Sequence, residues 1–146
     1  MSGLVLACGL GTLAAQEGGE ASAEAKASVW DGVYTIEQAD RGAPLYAERC
    51  SECHGEGLQG DDVSPPLIGS DFLWDWNGLS VGDLFERIVI SMPEEDPKSM
   101  TTQEKADVLA YVLKQNEMPS GDAELANSKR ELSPIRIDAV RPSVEP

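Results

Sequence analysis

The chain has 146 residues, which is enough for one domain with a single hydrophobic core. Its 26 acidic and 11 basic residues give a formal net charge of -15, which argues against nucleic acid as a partner because phosphate backbones are held by Lys and Arg. The same charge favours a basic protein as a partner, and the 41% hydrophobic content predicts a folded chain.

Residues 1–15 are predicted to be an export signal or a lipoprotein leader. The apolar run over residues 3–15 is too short to span a membrane, since a spanning helix needs about 20 residues. The sequence before Cys8 looks like a lipoprotein cleavage box, which would put a lipid on Cys8 and tether the protein to a membrane. A conventional signal cut near residues 12–14 is the alternative. Both alternatives predict an exported, periplasmic protein without a transmembrane span.

The rest of the chain divides into three predicted regions. Residues 16–29 are dominated by Gly, Ala, Ser and Glu and predict a flexible linker. Residues 30–121 carry the helical patterns and predict the compact domain. Residues 122–146 contain three prolines and predict an extended C-terminal tail, which either clamps a partner or wraps its own domain.

The first predicted helix starts at a capping-box pattern, Thr35 followed three residues later by Gln38, and runs toward Arg49. Pro44 conflicts with its interior, because proline lacks the amide hydrogen and crowds the preceding turn. The helix is therefore expected either to kink at Pro44 or to become regular only near Ala43. Residues 55–82 read as loop.

Two further helices are predicted downstream. Apolar residues at helical spacing (Leu84, Phe85, Ile88, Val89) follow a cap at Ser80. The last helix is capped at Thr101 by Glu104 and ends near Asn116; its apolar face comprises Ala106, Val108, Leu109, Val112 and Leu113. No hairpin signal interrupts these patterns, so the sequence predicts an all-α domain.

Two of the three cysteines and the only histidine fall within five residues, as Cys50-Ser51-Glu52-Cys53-His54. The pattern C-x-x-C-H is the signature of covalent c-type haem attachment. Two thiols about one turn apart can bond to one edge of a porphyrin, and the adjacent imidazole can then ligate the iron. The motif therefore predicts one covalent haem c bound by Cys50, Cys53 and His54.

Three other interpretations of the motif are less consistent with the sequence. A redox dithiol would need a βαβ context, and a structural zinc site would need four ligands, typically as two separated pairs. A disulfide between Cys50 and Cys53 would leave the neighbouring histidine without a role.

The iron's sixth ligand cannot be a second histidine, so a methionine thioether is the natural candidate. Met92, in the loop before the last helix, is the preferred ligand. Met100, Met118 and an open position are the alternatives. A ring closed on both faces predicts an electron carrier and not an enzyme.

At these residues the chain resembles the class I cytochromes c. Gly42, Tyr46 and Cys50 stand four apart, as in that family's first helix, and Val108-Leu109-Ala110-Tyr111 is similar to its last helix. The resemblance implies three to five helices around one covalently bound haem, with Gly42 and Tyr46 packed on Val108 and Tyr111. Pro65-Pro66-Leu67 looks like the family's Pro-x-Leu, which implies that Pro65 orients His54 and that Leu67 packs on the ring.

The chain is similar in particular to bacterial periplasmic cytochromes c associated with quinoprotein (PQQ) alcohol dehydrogenases, in residues 30–35, 91–93 and 110–111. This implies one-electron transfer from an exported dehydrogenase or respiratory complex toward a terminal oxidase. A haem-bearing subunit of a quinoprotein dehydrogenase is the alternative, and a haem peroxidase or gas-binding protein is less favoured. The acidic residues 94–96 are expected to help dock a basic partner.

Overall fold

The computed structural model describes residues 27–143, and these fold almost entirely as helix. A short 3-10 turn, Val29–Asp31, precedes six α-helices: α1 (Ile36–Arg49), α2 (Ser51–His54), α3 (Gly69–Asp75), α4 (Val81–Ser91), α5 (Thr102–Gln115) and α6 (Lys129–Leu132). Within the described part of the chain the only extended pairing is two isolated bridges at Arg136. The expected three to five helices become six because α2 and α6 are single turns.

Helix α1 begins where the sequence predicts, with the Thr35 side chain accepting from the Gln38 N–H at 3.2 Å. It continues through Pro44, so the expectation of a start near Ala43 is wrong. The Gln38 side chain does not complete the capping box. It is fully buried, and its amide exchanges two hydrogen bonds with the backbone of Leu125, at 3.0 and 2.7 Å. Gln38, which the sequence pattern assigns to the helix cap, therefore connects α1 to the C-terminal segment.

Helices α1 and α5 cross at a very close approach. A Cβ placed on Gly42 would lie 1.9 Å from the Asp107 carbonyl oxygen and 2.9 Å from the Val108 nitrogen, so only glycine fits there. One turn further along, the rings of Tyr46 and Tyr111 pack against each other at a tilt of 43°, with a centroid distance of 5.4 Å. These contacts confirm the packing that the resemblance implied.

Helices α4 and α5 also match their predicted caps. Ser80 and Asp83 form a reciprocal capping box at α4, and Thr101 and Glu104 form one at α5. Helix α3 lies within the predicted loop, and its N-cap, Ile68, provides no side-chain hydrogen bond. The local sequence therefore gave no start signal for α3.

The C-terminal segment packs on its own domain, which is one of the two alternatives that the sequence leaves open for the predicted tail. Leu125, Leu132 and Ile137 are buried in the core. The backbone of residues 135–137 bonds to residues 27–29 on one side and 78–81 on the other, at 2.7 to 2.9 Å. Ser28 and Val29, assigned by sequence to the linker, are buried by this pairing. Burial of apolar side chains from both ends of the chain extends the structural unit beyond residues 30–121.

Among residues 27–143 no helix is both long and apolar enough to span a bilayer. The predicted leader and Cys8 lie outside the described residues.

Candidate haem-binding site

Cys50 and Cys53 lie on consecutive turns where α1 passes into α2. Cys50 ends α1, with its N–H donating to the Tyr46 carbonyl at 2.9 Å. Its own carbonyl accepts from Cys53 and His54, at 3.3 and 2.9 Å, so the pentapeptide forms one helical turn. Both thiols are free; Cys50 is half-buried and Cys53 is exposed. The two sulfurs thus stand one turn apart, as attachment to one porphyrin edge requires.

The surroundings of these thiols do not suit the other interpretations of the motif. Burial raises the pKa of Cys50 to about 11, whereas a redox dithiol works through a thiolate with a lowered pKa. The described residues contain no cluster of three or more His, Cys, Asp or Glu side chains that could hold a metal ion.

The His54 ring is buried and its orientation is fixed from one side. Its side chain is 8% exposed, and Nδ1 lies 2.9 Å from the Pro65 carbonyl oxygen. A carbonyl can only accept, so Nδ1 carries the hydrogen and Nε2 keeps its lone pair. The backbone around the ring is tied as well: Gly60 N–H donates to the His54 carbonyl at 2.8 Å, and the Tyr46 hydroxyl donates to the Gly55 carbonyl at 2.7 Å. His54 is therefore oriented to offer Nε2 to a metal.

A tight turn formed by Asp61 precedes the Pro65 carbonyl. One Asp61 carboxylate oxygen accepts from the N–H groups of Val63 and Ser64, at 2.8 and 2.7 Å. These bonds hold the pKa of Asp61 below its usual range. Gly60 enters the turn at a φ of +66°, and a Cβ there would lie 2.4 Å from the Ser64 carbonyl oxygen. Asp61 is not among the site residues predicted from the sequence; its bond to the N–H of Val63, two residues on, is that of an Asx turn.

Leu67 lies just beyond this turn and packs against the core. Its N–H donates to the Leu58 carbonyl at 2.8 Å, and its carbonyl accepts from the Asn116 side chain at 2.9 Å. Phe72 is buried on α3, whereas Trp74 is 61% exposed. Trp76 is partly buried against the same core.

Met92 belongs to a different part of the chain from His54. It caps the C-terminal end of α4, where its N–H donates to the Ile88 carbonyl at 3.0 Å, and its side chain is partly buried. Met100 and Met118 are buried in the hydrophobic core, and the Met118 carbonyl accepts from the Tyr34 hydroxyl at 2.6 Å. The acidic residues 94–96, which follow Met92, are exposed.

The sequence analysis missed one buried charge next to Met92. Lys105, in the first turn of α5, is 2% exposed and donates to three backbone carbonyls on the α4 side. Its position one helical turn before Leu109 puts it on the apolar face of α5. A lysine inside an apolar stripe was the signal that could have revealed it.

The donor set fits a covalently bound haem. It offers two thiols one turn apart, an imidazole with a free Nε2, and a choice of thioethers, and soft sulfur together with imidazole nitrogen suits haem iron. The three groups that define the motif come from one short turn, whereas any thioether ligand comes from a separate segment.

The chain matches a known protein family. The family model described as cytochrome c oxidase, cbb3-type, subunit III matches residues 37–112, which is more than half of the chain. Among solved structures, a chain in the crystal structure of the sulfane dehydrogenase SoxCD from Paracoccus pantotrophus is similar, with 22% identity and a TM-score of 0.49; the match covers 88% of this chain and 68% of that chain. No curated protein matches the sequence.

The family match begins at the second residue of α1, includes the C-x-x-C-H turn and ends within α5. The all-α fold class predicted from sequence is confirmed. The chain belongs to the cbb3-type cytochrome c oxidase subunit III family, and is an all-α cytochrome of the class I type whose domain binds haem c covalently for electron transfer.

Proposed function

We propose that the protein carries one haem c, with His54 and Met92 as axial ligands, and passes single electrons between other proteins. The observation that carries this proposal is the His54–Pro65 contact, at 2.9 Å between Nδ1 and the carbonyl oxygen. It gives the only histidine of the chain one defined task, which is to present Nε2 to the iron.

Cys50 and Cys53 hold the haem in this proposal, each thiol forming one thioether bond to the macrocycle. Bound there, the haem supplies a one-electron iron couple. Covalent attachment keeps the cofactor on a small exported domain. Pro65 fixes the tautomer and ring orientation of His54 and raises its basicity as a ligand, and Leu67 contributes apolar cover.

Met92 is the proposed sixth ligand. Met100 and Met118 are buried as parts of the core, so their withdrawal would open cavities, whereas the partly buried Met92 ends a helix at the start of a loop. A thioether ligand raises the reduction potential of haem iron. With both axial positions filled, the protein has no vacant position for a substrate, which supports an electron carrier over a peroxidase or gas-binding protein.

The electron route is proposed to run from an exported dehydrogenase, of the quinoprotein type or another respiratory complex, toward a terminal oxidase. The family name refers to an oxidase subunit, which supports the oxidase end of this route. The exposed acids at residues 94–96 and the charge of -15 favour basic surfaces on partners. A tightly bound subunit, for instance of a quinoprotein dehydrogenase, is the alternative, which gel filtration of native extract separates from a free shuttle.

Export, with or without a lipid on Cys8, is part of the same proposal. Mass spectrometry of the mature protein from a host that matures c-type haem would report the number of haems, the N-terminus and any acyl chain together.

The Met92→Ala variant tests the sixth ligand. The wild type should show the weak near-infrared band of methionine-ligated ferric haem and should bind carbon monoxide slowly when reduced. Met92→Ala should keep the covalent haem, lose the band and bind carbon monoxide rapidly. Met118→Ala is the control and should retain the band. A Met92→Ala protein with an unchanged band and slow binding would contradict the assignment.

A further inference from the structure

Lys105 is buried without a carboxylate partner. Its side chain is 2% exposed, and within residues 27–143 it forms no salt bridge. The ammonium instead donates to the carbonyls of Pro97, Val89 and Ile88, at 2.6, 3.0 and 3.4 Å. Lysine is almost never fully buried unless its charge is compensated. Here the compensation comes from three backbone carbonyls, so the position of those carbonyls is of interest.

Two of the three acceptors are at the C-terminal end of α4. Carbonyls in the last turn of a helix carry the negative end of the helix dipole and in most cases have no intrahelical donor, so a cation is favourable there. The third acceptor, Pro97, lies on the far side of Met92 in the chain. One ammonium therefore bonds to the backbone on both sides of Met92.

Met92 itself shares an acceptor with this ammonium. The Ile88 carbonyl accepts from the Met92 N–H at 3.0 Å and from the Lys105 ammonium at 3.4 Å. The other hydrogen bonds of the loop are local: the Ser91 hydroxyl returns to Arg87, and Ser99 bonds back to Asp96. Lys105 thus connects the loop to α5 from outside the loop.

We propose that Lys105 is a positioning residue that holds the Met92 loop so that the thioether stays on the iron. This inference rests on the proposed function, in which Met92 is the sixth ligand. Burial lowers the pKa of Lys105, and the charge of the Asp96 carboxylate opposes this shift. The three carbonyls and the end of α4 also favour the charged form. A buried positive charge beside the ligand segment also disfavours the more positive ferric state, so it raises the reduction potential.

The test compares Lys105→Met, Lys105→Gln and Lys98→Met as holoproteins. Lys105→Met keeps the length of the side chain but removes the charge and every donor, and Lys105→Gln keeps a shorter donor. Lys98→Met makes the same charge change at an exposed position of the same loop. The measurements are the near-infrared band as temperature rises, the rate of carbon monoxide binding to reduced protein, and the reduction potential.

We expect Lys105→Met to lose the band at a lower temperature than the wild type. We also expect it to bind carbon monoxide about tenfold faster, because carbon monoxide binds only when Met92 has left the iron. Loss of hydrogen bonds to a charged group should raise the fraction of protein with Met92 dissociated by about that factor. Its potential should be lower than that of Lys98→Met. Lys105→Gln should be intermediate in band stability and in carbon monoxide binding. It provides the test if Lys105→Met does not fold.

Wild-type band stability and carbon monoxide binding in a folded Lys105→Met or Lys105→Gln protein would overturn the inference. Met92→Ala separates this outcome from a failure of the proposed function. If Met92→Ala opens the iron while the Lys105 variants behave as wild type, only the role of Lys105 is wrong. If Met92→Ala has no effect, the ligand assignment itself is wrong.

Discussion

The two proposed axial ligands are held in different ways. The histidine segment, residues 50–67, is tied by several short-range bonds within the segment: His54 Nδ1 bonds to the Pro65 carbonyl, Gly60 N–H to the His54 carbonyl, and Leu67 N–H to the Leu58 carbonyl. The methionine segment, residues 88–101, is held from α5, where the Lys105 ammonium bonds to three of its backbone carbonyls. The C-terminal end of the segment is also fixed, by the Thr101–Glu104 cap and by burial of Met100 in the core. The histidine is therefore oriented by its own neighbourhood, whereas the methionine depends on a residue in another helix.

The two proposed iron ligands should differ in how easily they are lost. Several hydrogen bonds orient His54, so the remaining bonds still restrain the ring when one of them is lost. Among the hydrogen bonds within residues 27–143, Lys105 supplies the only side chain of α5 that bonds to residues 88–97, and its loss leaves the Val89 and Pro97 carbonyls without this donor. We therefore expect the Met92 bond to fail before the His54 bond when the protein is heated or altered.

The largest effect is expected from Cys50→Ala combined with Cys53→Ala in the histidine segment. Without either thiol no thioether can form, so essentially all covalent haem should be lost. Mass spectrometry of the denatured protein and extraction into acid acetone measure this. Met92→Ala, in the methionine segment, is the matched variant and should keep its covalent haem. Covalent haem in the double cysteine variant would contradict the attachment site.

A smaller effect is expected from Asp61→Ala, which removes the acceptor of the Val63 and Ser64 amides in the turn before Pro65. The midpoint of thermal unfolding should fall at pH 6, while the near-infrared band of the methionine ligand should remain in the folded protein. Asp61→Asn keeps an acceptor oxygen and is the control, with a smaller loss. Loss of the band at temperatures where Asp61→Ala is still folded would show that the two segments are not independent.

The effect of Asp61 should depend on pH in one direction. Its folded-state pKa is lowered, so its contribution to stability is present above the unfolded pKa of about 3.9 and is lost as pH falls through the folded value. The difference between wild type and Asp61→Ala should therefore shrink from pH 6 toward pH 3. A difference that persists unchanged at pH 3 would mean that the carboxylate charge is not responsible.

The smallest effect is expected from reversing the acids at residues 94–96 to lysine, in the methionine segment. Reduction by hexaammineruthenium(II), a cation that represents a basic partner, should slow by about tenfold at low salt. The difference should vanish near 1 M salt, where the Debye length is about 3 Å. Reversal of Glu52, Glu56 and Asp62, which are exposed in the histidine segment, changes the net charge equally. Equal slowing by both variants would show that no particular surface is used.

Features encoded within a few residues were predictable from sequence. The caps at Thr35, Ser80 and Thr101 and the helices that follow them are confirmed, because a cap joins atoms only three residues apart. The Cys50–His54 turn was equally legible, since one turn of chain sets the spacing of its three groups. Helix α3 was not predicted, because it lacks a capping side chain.

Features that join distant parts of the chain were not predictable. Gln38 read as a capping residue, but its amide bonds to Leu125, 87 residues away. Residues 122–146 are predicted to be an extended tail that either clamps a partner or wraps its own domain, and the sequence does not decide between the two. In the structure the side chains of Leu132 and Ile137 are buried in the hydrophobic core.

The sequence by itself determined the all-α class, the haem-binding pentapeptide and the acidic surface charge, because composition and near-neighbour spacing are sufficient for each. Only the tertiary structure decided that the C-terminal segment joins the core and that Lys105 reaches across to Pro97. A buried ammonium and its carbonyl acceptors have to be brought together by helix packing. Nothing in the spacing of those residues along the chain specifies that they will meet.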